Sequence, residues 1–236
     1  MLLVGAGGLG SPAALVLARS GVGRIDVIDA DRVDATNLHR QTLYTEADVG
    51  EPKAAVAARR IEREAEAAGY QTSCVAREIH LAPDNASQVL QGCDLILEGC
   101  DNFASKFLTS DASFAASIPV VQAGAVRWVG WALATLPGRS ACLRCVFEDI
   151  PRDREETCAD AGVVGPVVGV LGAVQAALAM RLLAGDTAAA GVLWSYDALP
   201  GRLRRRRLAR RANCPLCSGL IQDTDVSRYV SPECAA

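Results

Sequence analysis

The sequence predicts an α/β fold with a mainly parallel central sheet, helices on both faces and a late antiparallel extension. Short apolar runs alternate with helical patterns as far as residue 123. This alternation is typical of a parallel sheet covered on both faces. After Gly124 the helical patterns between strands become fewer, and strand-like segments follow one another, which indicates antiparallel pairing. In open parallel sheets, ligands bind beyond the carboxyl ends of the strands.

A glycine-rich turn at residues 5–10 joins the first predicted strand, residues 2–4, to a helix at residues 13–20. Glycine permits the positive φ of a tight turn and lets a phosphate approach the backbone. A second strand, residues 24–29, ends at Asp29, about 20 residues after the turn, where an acid accepts from ribose hydroxyls. Alone, the pattern indicates a nucleotide phosphate, and most proteins that carry it bind NAD or FAD. The candidate nucleotide-binding glycines are Gly5, Gly7, Gly8 and Gly10.

The remaining elements follow from apolar periodicity. Helices are expected at residues 52–68, 83–91 and 104–117, and strands at 72–79, 94–98, 119–123, 192–198 and 202–210. Residues 125–136 are strand material that is expected to form a hairpin about Gly130. Residues 138–145 are expected to form a loop, and the charged residues 148–160 a crossover.

Two polar positions stand out at predicted element ends. Asp101 and Asn102 follow the strand at residues 94–98, which places them at the same sheet edge as Asp29. Lys53 lies in the first turn of a helix, where the helix dipole disfavours a cation. A nearby anion would remove that conflict.

Composition excludes several classes of protein. The chain has 236 residues, half of them apolar, and a net charge of −3, which argues against a general nucleic-acid or anionic-membrane binder. Residues 202–211 hold seven arginines but lack the interleaved aromatic residues of an RNA site. The N-terminus does not resemble a signal peptide, so a cytoplasmic location with reduced cysteines is expected.

Residues 161–180 carry no charge and are long enough to span a bilayer, but glycines and Gln175 favour a buried helix, in the core or at a dimer interface.

Four cysteines form two Cys-x-x-Cys motifs that are far apart in the chain. Four thiolates match a closed tetrahedral zinc site, which would be structural and would staple two remote loops. A redox dithiol, the alternative, usually needs one pair. The proposed ligands are Cys142, Cys145, Cys214 and Cys217. Cys158 precedes the apolar helix, a position that favours a thiolate, although an ordinary loop cysteine is an equal alternative.

Taken in order along the chain, these motifs resemble the ThiF/MoeB/HesA family, the bacterial relatives of ubiquitin-activating enzymes. The resemblance covers residues 2–219, so a nucleotide-binding adenylyltransferase domain is expected at residues 1–219 and a tail at 220–236. The residues that carry it are the glycine turn, Asp29, the Asn-Leu-His-Arg-Gln run at 37–41, Lys53, Asp101, Asn102, the paired cysteine motifs and Cys158.

The resemblance implies a Rossmann-like fold and an activity. The family uses Mg²⁺ and ATP to adenylate the C-terminal glycine carboxylate of a ubiquitin-like sulfur-carrier protein that ends in Gly-Gly. Pyrophosphate is released, and the carrier later delivers sulfur in thiamin- or molybdopterin-type biosynthesis. A homodimer is expected, with neither nucleic acid nor membrane as a partner.

The resemblance also implies individual roles. Gly8 lets the backbone approach ATP, Asp29 holds the ribose, and Asn102 lies beside the nucleotide. Asn37 and Arg40 contact the phosphates and Lys53 neutralises them. Asp101 coordinates Mg²⁺, and the four paired cysteines hold zinc. Cys158 matches a cysteine that bonds covalently to the carrier in some members. The expected catalytic set is therefore Arg40, Lys53, Asp101 and Cys158.

Two alternatives remain at this point. An NAD(P)-binding oxidoreductase would share the glycine turn, but it has no need of Arg40, Lys53 or the cysteine motifs. A catalytically impaired carrier-binding scaffold is the other. Family members carry an arginine-containing segment before the first strand that reaches the partner subunit's ATP site, and here Met1 abuts the strand. A misassigned start, a fragment or impaired catalysis would each account for that difference.

Overall fold

Eight strands form one sheet in the computed structural model, which describes residues 1–150 and 162–229. In chain order they are β1 (Leu2–Val4), β2 (Asp26–Ile28), β3 (Ala76–Arg77), β4 (Ile96–Glu98), β5 (Val120–Val126), β6 (Val129–Thr135), β7 (Val192–Asp197) and β8 (Arg202–Arg207). Their spatial order is β3-β2-β1-β4-β5-β6-β7-β8. Strands β1 to β5 pair in parallel, and β5 to β8 pair antiparallel. The predicted parallel core and antiparallel extension are confirmed.

Helices cover both faces of the sheet. They are α1 (Gly10–Ala18), α2 (Lys53–Ala67), α3 (Ala86–Val89), α4 (Phe103–Ala115), α5 (Leu143–Phe147) and α6 (Gly165–Leu183). Helices α1, α2 and α6 pack on one face, where Leu3 of β1 is buried. Helices α3, α4 and α5 pack on the other face, where Leu2 and Val4 are buried. Because neighbouring residues of a strand point to opposite faces, this short apolar run serves both halves of the core.

A hairpin forms in this segment, but its turn is not at Gly130 as expected. Gly130 lies within β6 and pairs with Ala125, while the turn falls at Arg127 and Trp128. A Cβ at Gly130 would lie 2.3 Å from Leu171 Cδ1 and 2.5 Å from the Gly124 carbonyl oxygen. The glycine therefore allows α6 to pack closely on the strand, which a local reading of turn residues does not anticipate.

Other element boundaries also differ from the prediction. The loop expected at residues 138–145 gives way to helix α5 from Leu143, whose side chain is fully buried. The strand expected at 72–79 is a regular strand only at Ala76 and Arg77, with one isolated bridge from Ser73 to Arg24, and the helix expected at 83–91 is one turn long. The apolar pattern of the sequence does not show where the edge strand β3 stops pairing with its neighbour. Within the segment expected as the tail, Tyr229 donates a hydrogen bond of 2.8 Å to Asp111 of α4.

Helix α6 is the apolar segment that the sequence suggested could span a bilayer. By length and composition it passes that test, with a mean hydropathy of 1.7, and within residues 1–150 and 162–229 no other helix does. It packs against α1, β5 and β6, and the buried Gln175 amide donates to the Glu98 backbone oxygen at 2.8 Å. A core helix of a globular domain makes such contacts. Ala173 and Ala177 remain exposed on its outer side.

The position of Gly10 yields a test of the fold. A Cβ at Gly10 would lie 2.1 Å from the Gly5 carbonyl oxygen, so the first turn of α1 would have to move. We expect Gly10→Ala to lower the free energy of unfolding by about 1–3 kcal/mol, measured by urea denaturation. Gly23 is the matched control, because a Cβ there meets nothing within 4 Å. Gly23→Ala should leave stability unchanged or raise it by about 0.4–1 kcal/mol. Equal stability of Gly10→Ala and the unmodified protein would contradict this packing.

Candidate functional site

A cavity lies beyond the carboxyl ends of β1, β2 and β4, where a ligand is expected in this type of sheet. Most of the residues that the sequence singled out meet there. Its walls include Gly5, Gly7, Gly8, Asp29, Arg40, Lys53, Asp101 and Asn102. Residues that are far apart in the chain, from the glycine turn to the start of α4, thus share one site.

The glycine turn lines this cavity and is held by several hydrogen bonds. Gly5 has a φ of +83°, and its amide donates to the Ile28 carbonyl at 2.9 Å. The Ala6 carbonyl accepts from the Ser11 hydroxyl and from the Tyr44 hydroxyl, each at 2.9 Å. Gly10 does not line the cavity, because it is buried behind the turn against Gly5.

Asp29 connects the second strand to the turn. Its Oδ2 accepts from the Ala6 amide at 2.8 Å and its Oδ1 from the Asp31 amide at 2.9 Å. Burial raises the pKa of this carboxyl above its ordinary value, although those two hydrogen bonds oppose the shift. Each carboxylate oxygen can accept a second hydrogen bond, so the side chain can still accept from a ligand.

Lys53 has its anion within the chain. Its Nζ lies 2.8 Å from Asp31 Oδ2, and its side chain is 6% exposed against 61% for that of Asp31. The carboxylate removes the conflict between a buried cation and the N-terminus of α2. Asp31 was not among the residues that the sequence singled out, although its place two residues after Asp29, beyond the end of β2, is a usable signal.

Arg40 reaches the cavity from a segment of short turns. A Cβ at Gly8 would meet the Arg40 Cγ and Cδ at 3.5 Å, so the arginine stem lies directly against the turn. Arg40 Nη1 is 3.4 Å from His39 Nε2. Asn37 does not line the cavity, but its backbone oxygen accepts from the Arg40 and Gln41 amides. Gln41 does line it, and within the part of the chain that the structure describes its buried Oε1 has no hydrogen-bond partner.

The other wall follows β4. Asp101 and Asn102 are both exposed, and both line the cavity. Asn102 Oδ1 accepts from the Ser105 amide at 2.8 Å and so caps α4. Asp101 makes no such capping bond, and its carboxylate is of the type that Mg²⁺ prefers.

The donor set of the cavity suits an extended polyanion. Two cations, Arg40 and Lys53, stand near glycines that a phosphate can approach closely. A carboxylate at Asp101 on the far wall is suited to a divalent cation bound to the same anion, and Gln41 Oε1 is free to accept from a ligand. The residues present therefore fit a nucleotide with its metal ion.

The four paired cysteines come together, as the sequence predicted. Their sulfur atoms all lie within 4.8 Å of one another, and the separations from Cys142 Sγ are 3.8 Å to Cys145, 3.6 Å to Cys214 and 3.5 Å to Cys217. Four thiolates at about 2.3 Å from one zinc ion would be roughly 3.8 Å apart. These distances are too long for disulfides, and all four cysteines are free. The cluster can hold a metal ion.

Arg144, between the first two of these cysteines, anchors the cluster to the core. Its guanidinium donates to both oxygens of Asp111, with Nη2 to Oδ2 at 2.8 Å, and both side chains are almost fully buried. It also stacks over the Phe107 ring at 4.7 Å. No local pattern marked this pair, because the two residues lie on different elements. Cys158, the remaining predicted site residue, lies outside the described residues.

The chain is similar to several known proteins. The ThiF family profile matches residues 1–216. The chain is 38% identical over 224 residues to the sulfur carrier protein adenylyltransferase of Thermus thermophilus. This alignment covers 92% of the chain and 81% of that relative. It is 36% identical over 224 residues to the sulfur carrier protein ThiS adenylyltransferase of Escherichia coli, with 94% and 87% covered. It is also 40% identical over 220 residues to mouse adenylyltransferase and sulfurtransferase MOCS3, of which it spans about half, 47%.

Solved structures show the same architecture. Escherichia coli MccB in complex with ATP superposes with a TM-score of 0.75 at 21% identity, covering 92% of this chain and 65% of that one. This likeness concerns the fold. Because the ThiF profile spans nearly the whole described chain and two relatives align over more than four-fifths of their own length, this chain belongs to the ThiF family.

Proposed function

We propose that this chain uses ATP to adenylate the C-terminal glycine carboxylate of a ubiquitin-like sulfur-carrier protein, with release of pyrophosphate. The observation that carries the proposal is the meeting of Arg40, Lys53 and Asp101 with the glycine turn in one cavity. A hydride-transfer enzyme has no use for that set of charges. The names of the relatives give the same reaction class.

In the proposed reaction, a carrier carboxylate oxygen forms a bond to the α-phosphorus of ATP. The bond from that phosphorus to the oxygen that bridges the α- and β-phosphates breaks, and the electron pair leaves with pyrophosphate. Both partners are anions, so the site must reduce their repulsion and stabilise the charge that develops on the leaving group. Fixed cations in a partly desolvated cavity do this without reorganisation during the reaction.

Lys53 and Arg40 supply those cations. Lys53 is held in place by Asp31 and by α2, and Arg40 by its contact with Gly8. The proposal assigns both side chains to the phosphates. Asn37 is proposed to contact the phosphates too, and its backbone oxygen accepts from the Arg40 amide. Gly5, Gly7 and Gly8 line the cavity and are assigned to the nucleotide. A Cβ at Gly5 would meet Cys100, and one at Gly10 would meet the Gly5 carbonyl oxygen, so these two glycines also let the turn close.

The remaining roles complete the nucleotide site. Asp29 would accept from the ribose, and Asn102 would lie beside the nucleotide. Asp101 would hold Mg²⁺, which when bound neutralises phosphate oxygens. Cys158 is proposed as a residue that can bond to the carrier. The four-cysteine cluster is proposed to hold zinc in a structural role, since four protein ligands leave no open position.

The assembly and the setting are proposals of the same kind. We propose a homodimer, a carrier that ends in Gly-Gly and a place in thiamin- or molybdopterin-type sulfur transfer, on the resemblance to the family. A cytoplasmic location is proposed from the N-terminal sequence. Neither nucleic acid nor a membrane is proposed as a partner.

The central test is pyrophosphate exchange into ATP that depends on a carrier ending in Gly-Gly. We expect Asp101→Ala to lower the exchange rate about 100-fold or more, because a metal ligand is lost. Asp94, an exposed carboxylate before β4 and therefore at the opposite end of that strand, is the matched control, and Asp94→Ala should exchange normally. Exchange that survives Asp101→Ala would contradict the assigned role. Tight binding of NADH without binding of ATP would contradict the proposed adenylation and would indicate an oxidoreductase instead.

Lys53 permits a second test on one helix. Lys53→Met should lower the exchange rate about 100- to 1,000-fold, because a fixed cation is removed from the developing charge. Arg59 lies on the same helix, is exposed and pairs with Glu51. Arg59→Met should therefore change the exchange rate by less than about twofold. Equal effects of the two substitutions would show that charge in general, rather than the position of Lys53, matters.

Metal analysis tests the cysteine cluster. The purified protein should contain one zinc ion per chain, and Cys214→Ser should lose it. A loss of about 3 kcal/mol of stability would lower the unfolding temperature by roughly 6–12 °C in a protein of this size. Cys93 lies outside the cluster, so the control variant Cys93→Ser should keep its zinc ion. A full complement of zinc in Cys214→Ser would disprove the assignment.

A further inference from the structure

Beneath the loop that carries Asp101 lies an ion pair that no motif marks. Glu98, the last residue of β4, is fully buried, and Lys106 of α4 is 4% exposed. Lys106 Nζ lies 3.0 Å from Glu98 Oε2 and 3.2 Å from Oε1. Since a pair removed from water loses its hydration, such pairs contribute little net stability compared with apolar residues of the same size. A reason other than stability is therefore needed for its presence.

The pair grips both backbone polar groups of Cys100. The Cys100 amide donates to Glu98 Oε1 at 2.7 Å, and Lys106 Nζ donates to the Cys100 carbonyl at 2.7 Å. Cys100 immediately precedes Asp101 and Asn102. The position of the peptide before Asp101 is thus set by one carboxylate and one ammonium group.

Neighbouring side chains and backbone hold the pair itself in place. Gln122 Nε2 of β5 donates to the Lys106 carbonyl at 2.8 Å and approaches Glu98 Oε2 at 3.4 Å. Lys106 Nζ also donates to the Ala123 carbonyl. The pair is consequently tied to β4, α4 and β5 at once, and it has little freedom to move.

On the opposite side, the loop meets the glycine turn. A Cβ at Gly5 would lie 3.0 Å from Cys100 Sγ, and one at Gly99 would lie 2.8 Å from the Gly10 amide nitrogen. Any shift of Cys100 would change the separation between Asp101 and the turn where phosphates are proposed to bind.

We propose that Glu98 and Lys106 are positioning residues that set the place of Asp101, and through it the affinity of the nucleotide complex for Mg²⁺. This inference rests on the proposed function and names a further part of the same site. Neither residue lines the cavity, so both act through the Cys100 backbone.

The first test compares two buried carboxylates. Glu98→Gln and Asp111→Asn make the same change in two buried ion pairs, but the carboxylate of Asp111 accepts hydrogen bonds from Arg144 and Tyr229 rather than from the Cys100 amide. Binding of Mg²⁺ to the protein–ATP complex is titrated by calorimetry. We expect Glu98→Gln to weaken it about 10- to 100-fold while ATP affinity in EDTA changes less than about threefold. Asp111→Asn should affect neither affinity, although it lowers thermal stability.

A second variant separates position from stability. Glu98→Gln/Lys106→Met removes both charges and the donor to the Cys100 carbonyl. Its unfolding temperature should equal or exceed that of the unmodified protein, because neither charge of this pair remains buried. Its Mg²⁺ affinity should still fall, and the kcat for exchange should fall about 10- to 100-fold with a smaller change in KM for ATP. This variant also decides the matter if Glu98→Gln does not fold.

The outcomes distinguish the two proposals. Lack of carrier-dependent exchange in the unmodified protein would overturn the proposed function. Normal exchange in the unmodified protein, with normal Mg²⁺ affinity in the folded Glu98 variants, would overturn the positioning role alone. An equal loss of Mg²⁺ affinity in Asp111→Asn would also overturn it, because the effect would then follow from any buried pair.

Discussion

The site depends on a close approach between two backbone turns. The loop after β4 touches the glycine turn after β1 so tightly that a Cβ at Gly99 would lie 2.8 Å from the Gly10 amide nitrogen. A Cβ at Gly10 would in turn lie 2.1 Å from the Gly5 carbonyl oxygen. Because β1 and β4 are neighbours in a parallel sheet, both turns emerge at one edge, and only residues without side chains let them meet. The cavity is the space bounded by this contact and by the segment that carries Arg40.

Charges around that contact are balanced by the chain itself. Lys53 faces Asp31 across the end of β2, and Lys106 faces Glu98 beneath the loop. The first pair is partly open to solvent through Asp31, whereas the second is enclosed. A ligand anion can therefore reach Lys53 by displacing or sharing an exposed carboxylate, while the enclosed pair keeps its geometry. The partly exposed pair, Lys53 with Asp31, is therefore suited to contact a ligand. The enclosed pair, Lys106 with Glu98, is suited to hold the backbone.

At a distance from the cavity, the cysteine cluster joins the loop after β6 to the segment after β8. The Arg144 guanidinium, placed between two of the cysteines, extends this junction into the core through Asp111 and Tyr229. β8 is an edge strand with exposed residues throughout, and beyond it Leu216 packs in the cysteine cluster while Tyr229 packs in the core. The buried ion pair adds to these contacts, and a metal ion held by the four cysteines would add further to them.

Much of this protein follows from sequence alone, because periodicity and glycine placement are local properties. The alternation of strands and helices predicted the sheet, and the motifs at Asp29, Lys53, Asp101 and the paired cysteines predicted which residues would meet. The tertiary structure decided what depends on partners distant in the chain. Gly130 serves the packing of α6 rather than a turn because Leu171 lies above it. Asp31, Glu98, Lys106 and Arg144 gain their roles from side chains on other elements, and a linear pattern does not contain those contacts.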